Sequence, residues 1–137
     1  MTLRVMLVVP EGQVWSGNAD RVIAKTLDGD IGVLTGHTPV LGILTAGSVV
    51  RILPEGAAGS DWIQAAVGGG FLSVADDNVS ILAREAALGA DVNKSAIRSE
   101  LDSAGGDGDA GDEDEREARA ARLAYLSAQL RAAGEES

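Results

Sequence analysis

The chain has 137 residues, a formal net charge of −10 at pH 7, no cysteine and a single histidine, His37. These counts exclude disulfide and thiolate chemistry and argue against structural zinc, which usually takes several Cys and His ligands. The negative charge argues against nucleic-acid partners and against adhesion to anionic lipid, because both require a basic surface.

Residues 1–86 are rich in Val, Ile, Thr and Gly in short runs, a composition typical of strands and turns. Residues 3–9 show a period of two, as in a strand with one face towards a core. Turn residues follow, among them Pro10-Glu11-Gly12 and Ser16-Gly17-Asn18. The predicted strands are residues 3–9, 13–15, 21–27, 31–34, 40–44, 48–53, 62–67, 70–74 and 79–82. About nine short, evenly spaced strands predict an antiparallel β-sandwich or barrel.

Residues 87–137 form a second part in which Ala, Arg, Glu and Asp dominate, and it is predicted to be helical. Asn93 is placed to cap a helix over residues 94–102. A Gly/Asp-rich linker at 104–113 follows, and a second helix is predicted from about Asp114 to Ala133. Its apolar stripe consists of Ala120, Leu123, Leu126, Leu130 and Ala133. Because this stripe is thin and rich in Ala, we expect the helix to dock weakly.

Two features look like catalytic or phosphate sites but have simpler explanations. His37 lies in a turn, and no Gly-x-Ser-x-Gly segment accompanies it, so we expect its ring to bond a backbone carbonyl rather than to catalyse. The segment Gly68-Gly69-Gly70 precedes a predicted strand instead of the Lys and helix of a phosphate-binding loop. It is better explained by a bulge or a close approach of two backbones.

Charged residues of the second part suggest two further sites. The acidic run from Asp107 to Glu117 does not match the ligand spacing of a calcium loop, so a solvated linker is the favoured interpretation and no metal site is assigned. Arg116, Arg119 and Arg122 recur every three residues and form a basic stripe. Spacing favours a solvated face paired with neighbouring acids over the alternative, which is docking onto an acidic partner.

Two segments carry a resemblance to a known family. Residues 28–41, Asp-Gly-Asp-Ile-Gly-Val-Leu-Thr-Gly-His-Thr-Pro-Val-Leu, resemble the acidic-Gly-x-Leu/Ile-Gly stretch and the Gly-His-x-Pro turn of F-type ATP synthase epsilon subunits. Residues 67–83 are similar to the family's Gly-Gly-x-x-x-Val segment and the strand after it. The resemblance implies a sandwich of about ten antiparallel strands followed by a C-terminal two-helix hairpin.

The resemblance also implies a place and a role. Such a subunit lies in the central stalk, binds the gamma subunit and the c-subunit ring, and couples them during proton-driven ATP synthesis without catalysing a reaction. Its C-terminal helices contact the alpha and beta catalytic subunits transiently and regulate ATP hydrolysis. The implied location is the cytoplasmic face of the bacterial plasma membrane, peripheral and without direct lipid insertion. The alternative is a small ligand-binding β-sandwich module, which is expected to show a cluster of exposed aromatic residues or several His.

Individual residues follow from the same resemblance. It implies that Asp30 contacts the c-ring, and we add Thr35, Gly36 and His37 of the neighbouring turn to this contact group. It implies that the basic stripe of Arg116, Arg119 and Arg122 meets acidic loops of the catalytic subunits.

The nucleotide motif of the family is broken in this chain. Many bacterial members open the first helix with Ile/Leu-Asp-x-x-Arg-Ala, a motif associated with ATP in some of them. Here Asn93 stands at the Asp position and Ala96 at the Arg position. A phosphate group would lose its guanidinium partner, so we expect weak or absent ATP binding and no cofactor.

Overall fold

The computed structural model describes residues 2–57, 59, 61–104 and 111–134, which form nine strands, one short 3-10 turn and two helices. The strands are β1 (Leu3–Val9), β2 (Gly12–Thr26), β3 (Gly29–Val33), β4 (Val40–Leu44), β5 (Ser48–Pro54), β6 (Ile63–Val67), β7 (Gly70–Ala75), β8 (Asn78–Ala83) and β9 (Ala86–Leu88). The 3-10 turn spans Gly89–Asp91, and the helices are α1 (Lys94–Ala104) and α2 (Glu113–Ala132).

The long strand β2 belongs to both layers of a sandwich. Its first half pairs with β1, and its second half pairs with β3 and β5. The first layer therefore runs from the start of β2 through β1, β8 and β7 to β4, and the second contains β3, the end of β2, β5, β6 and β9. A single pair, Thr26 with Leu44, joins β4 to β2. All pairings are antiparallel except β1 with β8, so the predicted sandwich is confirmed and one parallel pair is added.

The space between the layers is filled by aliphatic side chains. Leu3, Val5 and Leu7 are fully buried, whereas Arg4 and Met6 between them are exposed, as the period of two predicts. Every layer contributes alternate residues in the same way, and the core consists of Val, Leu, Ile and Ala. Each fully buried side chain of this size contributes about 1.5–3 kcal/mol relative to an exposed one.

Two strand predictions differ from the structure. The turn predicted at Ser16-Gly17-Asn18 is wrong, because β2 runs through these residues, which pair with β1 opposite Met6, Val5 and Arg4. Strand β9 was not predicted: it has three residues and a composition that resembles the helical part. The structure has nine strands, the number estimated from the sequence. The predicted strands 13–15 and 21–27 form the single strand β2, and the additional strand β9 restores the count.

The helices begin at capping residues. The Asn93 side chain accepts a hydrogen bond from the Ala96 amide at 3.1 Å, which confirms the predicted cap of α1. The Asp112 side chain accepts from the Glu115 amide at 2.8 Å and caps α2. Residues 105–110 of the predicted linker, with its Asp107, lie outside the described residues.

Helix α2 has two buried faces instead of one thin stripe. Tyr125, Ala128 and Ala132 pack against Ala66, which lies on the outer face of the second layer. Leu126 and Leu130 pack against Ile97 of α1. Of the predicted stripe, Leu126 and Leu130 are buried, Leu123 and Ala133 are half-buried, and Ala120 is exposed, which makes the prediction wrong at Ala120. The second face exists because the helix is held between a sheet and another helix.

Candidate interaction surfaces

A row of apolar side chains crosses the outer face of the first layer. Ile43, Phe71, Leu82 and Val8 lie opposite one another on β4, β7, β8 and β1. The first three are 50%, 50% and 53% exposed. Alternation along each strand turns these residues away from the core, so no residue that the structure describes covers them.

The apolar row extends into a second row and into a shallow hollow. Leu41 and Met6, both exposed, follow on strands β4 and β1, with Ser73 and Ser80 between them. The hollow has a volume of about 470 Å³, and its lining includes Pro10, Ile43, Phe71, Leu82 and Arg84. A contiguous apolar surface of this kind on a water-exposed sheet marks an interaction site.

The helices and the apolar row lie on opposite sides of the sandwich. Val49 and Ala66, on the outer face of the second layer, contact the cluster formed by α2. The apolar row lies on the outer face of the first layer. A partner can therefore cover the apolar row while the helical hairpin remains folded.

Asp30 lies near the tip of the β2–β3 hairpin, exposed and directly opposite Lys25. The Thr26 hydroxyl donates to the Gly29 carbonyl oxygen at 2.8 Å and accepts from the Asp28 amide at 3.2 Å, which fixes the turn. At its apex, Leu27 is 65% exposed. The tip thus presents an apolar residue beside two carboxylates.

His37 lies in the loop between β3 and β4 and takes part in local backbone bonding. Its amide donates to the Leu34 carbonyl at 3.1 Å, and its Nδ1 lies 2.6 Å from the Thr38 carbonyl oxygen. Since a carbonyl only accepts, Nδ1 carries the proton, and the predicted ring-to-carbonyl bond is confirmed. The Gly36 amide donates to the Asp77 carboxylate at 2.7 Å, which ties the loop to the β7–β8 turn.

The four residues predicted to contact the c-ring do not form one cluster. Asp30 lies at the start of β3, whereas Thr35, Gly36 and His37 follow the end of that strand. Strands rise about 3.3 Å per residue, so the intervening segment of β3 separates the two groups by roughly 10 Å or more. The expectation that they share one end of the sandwich is therefore wrong.

The basic stripe contains three arginines in different surroundings. The Arg122 guanidinium contacts Glu85 at 3.3 Å and Glu100 at 3.0 Å. Arg116 donates to the Gly111 carbonyl at 3.2 Å. Arg119 has its Nε and Nη2 buried without a hydrogen-bond partner in the part of the chain that the structure describes. The interpretation of Arg122 as paired with neighbouring acids is confirmed.

A hollow between two tryptophans was not predicted from the sequence. Trp15, Trp62, Ile63, Gln64 and Leu88 are among the residues around a space of about 330 Å³, beside the end of α2. The Arg51 guanidinium lies 4.8 Å from the centre of the Trp62 ring. Tryptophans 47 residues apart in sequence give no signal of such proximity.

Two negative findings apply to residues 2–57, 59, 61–104 and 111–134. No group of three or more His, Asp or Glu side chains is arranged to hold a metal ion. No helix there combines the length and the apolar character needed to cross a membrane.

The two-layer sheet corresponds to a known class of domain. Residues 2–89 match the family model described as ATP synthase, Delta/Epsilon chain, beta-sandwich domain. The chain belongs to this family. It is 52% identical over 88 residues to the ATP synthase epsilon chain of Frankia casuarinae, which covers 64% of this chain and 99% of that protein. The epsilon chain of Thermobifida fusca is 50% identical over 103 residues, with 74% of each chain covered. That of Streptomyces avermitilis is 44% identical over 108 residues, covering 79% of this chain and 84% of that one.

Solved structures share the fold. A chain of the Euglena gracilis mitochondrial ATP synthase, in a structure described as OSCP/F1/c-ring, has a TM-score of 0.79 at 23% identity and covers 98% of this chain and 82% of its own. A chain of the Tetrahymena thermophila mitochondrial ATP synthase, described as central stalk/cring, has a TM-score of 0.63 at 17% identity, with 96% of both chains covered. The alignment with the Euglena gracilis chain includes the helical part, whereas the match to the family model ends at residue 89.

Proposed function

We propose that this chain is a non-catalytic subunit of the rotor central stalk of a bacterial F-type ATP synthase, where it couples the gamma subunit to the c-ring. The proposal is supported by the family and by relatives that are 42–52% identical and are ATP synthase epsilon chains. The proposed location is peripheral, at the cytoplasmic face of the plasma membrane. The function is carried by one observation, the apolar row on the first layer.

The apolar row is the proposed contact surface for gamma. A stalk subunit needs a stable attachment to the shaft, and burial of apolar side chains provides the non-directional free energy for it. Ile43, Phe71 and Leu82 are each about half exposed, so a partner that covers them gains about 1 kcal/mol or more from each. Since the row faces away from the helices, attachment to gamma and folding of the hairpin do not compete.

The proposed contact with the c-ring lies along β3. Among the described residues, strand β3 pairs only with β2, which makes it an edge of its layer. Because Asp30 and the group of Thr35, Gly36 and His37 lie at opposite ends of β3, both reach the ring only if the strand lies along its surface. The tip at Leu27 then contributes apolar contact, and Asp30 meets polar or basic groups of the c-subunit loops.

The C-terminal part is proposed to regulate ATP hydrolysis through contacts with the alpha and beta subunits. The boundary between the sandwich and this part, between residues 86 and 87, remains a proposal. Strand β9 (Ala86–Leu88) crosses this boundary, because it pairs with β6 of the sandwich. Arg116, Arg119 and Arg122 are the proposed contacts. For Arg122, such a contact requires that its bonds within the folded hairpin be released first.

The experiment compares two exposed apolar residues that the proposal assigns to different partners. Phe71→Glu and Leu27→Glu make the same type of change on the apolar row and on the β2–β3 tip. We expect Phe71→Glu to weaken binding to purified gamma at least tenfold and Leu27→Glu to leave it within about twofold. In the assembled enzyme, Leu27→Glu is expected to weaken attachment to the c-ring. Unchanged gamma binding by Phe71→Glu would reject the assigned surface.

A further inference from the structure

Arg122 joins three separate parts of the chain. Its Nη1 lies 3.3 Å from Oε1 of Glu85, which follows strand β8, and its Nη2 lies 3.0 Å from Oε2 of Glu100 in α1. Its guanidinium carbon lies 5.9 Å from the centre of the Tyr125 ring on its own helix. One side chain therefore links the sandwich, α1 and α2.

The side chain of Glu85 passes through the space that Gly68 leaves open. A side chain at position 68 would collide with the Glu85 side chain, chiefly at its Cγ. The Gly68 amide also donates to the Glu85 carbonyl oxygen at 2.8 Å. The absence of a Cβ at Gly68 thus provides the space through which Glu85 reaches Arg122.

Arg122 lies at the boundary between two halves of α2. From residue 123 onwards the helix has buried or half-buried side chains, down to residue 133. Between residues 113 and 121 all side chains are exposed except that of Arg119, which is half-buried. Arg122 therefore lies where the packed half of α2 meets the exposed half. Its ion pairs are adjacent to the apolar contacts of the packed half.

We propose that Arg122 is a clamp that keeps the C-terminal hairpin closed on the sandwich, through Glu85, and keeps the two helices together, through Glu100. Release of α2 from the sandwich requires the pair with Glu85 to break, its separation from α1 requires the pair with Glu100 to break, and closing restores both. While the clamp is closed, the guanidinium is already occupied by two carboxylates. An acidic partner surface must then compete with Glu85 and Glu100 for it, a consequence that rests on the proposed function.

The size of the effect follows from the exposure of the pairs. The side chains of Arg122, Glu85 and Glu100 are 47%, 49% and 49% exposed, so screening by water limits each pair. Pairs of this kind change an equilibrium constant by roughly 1.5- to 5-fold each. The clamp is thus expected to shift the opening equilibrium by roughly 2- to 20-fold and to weaken with salt.

The test measures hydrogen–deuterium exchange of the full isolated chain, with α2 amides from Tyr125 to Leu130 as the reporter and β7 amides as the internal reference. Arg122→Gln is expected to speed exchange of the α2 amides 2- to 20-fold without changing β7. Arg116→Gln is the matched control, since it makes the same change on the same helix away from the two carboxylates, and it should alter exchange less than twofold.

A double-mutant cycle distinguishes the clamp from a general effect of charge. Glu85→Gln and Arg122→Gln together should cost less than the product of their separate effects, with a coupling of roughly 1.5- to 5-fold. Gly68→Ala should act like Glu85→Gln because it displaces the same carboxylate. About 1 M salt should speed α2 exchange in the parent protein and leave Arg122→Gln unchanged.

Equal exchange in Arg122→Gln and Arg116→Gln, or no coupling between Arg122 and Glu85, overturns the proposal. The measurement uses the isolated chain, so its failure leaves gamma binding by the apolar row untouched. Conversely, a loss of the proposed gamma contact would not alter the exchange result. The two proposals are therefore tested separately.

Discussion

The Arg131 guanidinium donates a hydrogen bond to the Gly47 carbonyl oxygen at 2.7 Å and so joins the last turn of α2 to the turn between β4 and β5. At the same turn, a Cβ added to Gly47 would lie 3.1 Å from the Ala124 Cβ. The helix can therefore approach the sheet closely at this turn because Gly47 has no side chain. The expectation of weak docking considered only the apolar stripe of α2 and left out these backbone contacts.

Substitution of Arg131 is expected to loosen the hairpin selectively. In Arg131→Gln the charged hydrogen bond to Gly47 is lost, and we expect the free energy of hairpin closing to fall by about 1–2 kcal/mol, since the bond is partly buried. Exchange of the α2 amides measures this change. Arg131→Lys keeps the charge and a donor and should lose less. If both variants exchange like the parent protein, the bond does not contribute to docking.

A disulfide between positions 47 and 124 is expected to lock the hairpin. The chain has no cysteine, so Gly47→Cys with Ala124→Cys introduces the only pair. The separation of 3.1 Å is slightly shorter than the usual Cβ–Cβ distance in disulfides, about 3.5–4.5 Å, and a small shift of the turn accommodates it. We expect spontaneous oxidation and a gain of about 2–4 kcal/mol in the free energy of unfolding. A non-reducing gel and thermal unfolding, with and without reductant, measure these outcomes. Persistent free thiols would mean that the two positions do not approach in solution.

Gly89 is expected to be the glycine whose replacement is most harmful to helix docking. A Cβ at Gly89 would collide with the carbonyl group of Ala132 at the end of α2, and a backbone atom cannot move aside as a flexible side chain does. Gly89→Ala should therefore lower the free energy of unfolding by about 1–3 kcal/mol. Gly32→Ala is the control, because no atom of the described residues lies within 4 Å of its added Cβ and its backbone is not left-handed. Urea unfolding measures both variants, and equal midpoints would show that α2 does not lie against Gly89.

The sequence predicts elements better than it predicts their partners. The alternation at Leu3, Val5 and Leu7 identifies β1 because burial depends on residues two apart in the chain. Turn residues at 16–18 did not end β2, since pairing with β1 outweighs local turn preference.

The candidate sites depend on long-range contacts that local patterns do not contain. Phe71 could have been assigned to an outer face, because Leu72 and Val74 point inward on the same strand. Its position between Ile43 and Leu82 depends on strand register. The contacts of Arg122 span 37 residues to Glu85 and 22 to Glu100, and no spacing rule predicts them.

The broken nucleotide motif leads to a prediction about ATP. Asn93 is used as the cap of α1, and Ala96 is exposed without a guanidinium to bind phosphate. Because we expect weak or absent ATP binding, isothermal calorimetry with millimolar ATP should give no clear binding heat. Arg122→Gln serves as a control for nonspecific attraction of phosphate to the basic stripe and should give the same result. A saturable signal from the parent protein would show that other residues form the site.

Tyr125 provides a pH-dependent measure of hairpin closing, because it is the only tyrosine in the chain and is buried between α2 and the sheet. Burial, and then the nearby carboxylate of Glu85, raise its pKa to about 12, although the charge of Arg122 lowers it. An unfolded tyrosine has a pKa of about 10. The folded state therefore binds this proton more tightly, so its contribution is complete below about pH 10 and is lost as the pH rises through about 12.

The absorbance of tyrosinate during a base titration follows Tyr125 alone, and the charge contributions predict how variants shift it. Glu85→Gln removes a negative charge that disfavours tyrosinate and should lower the pKa, whereas Arg122→Gln removes a positive charge that favours tyrosinate and should raise it. A variant that opens the hairpin would instead lower the pKa towards about 10, because solvation of the ring removes the effect of burial. Arg122→Gln thus has opposite effects through charge and through opening. Exchange of the α2 amides at neutral pH separates the two, because Tyr125 is protonated there in both the folded and the unfolded state and the exchange then reports opening alone.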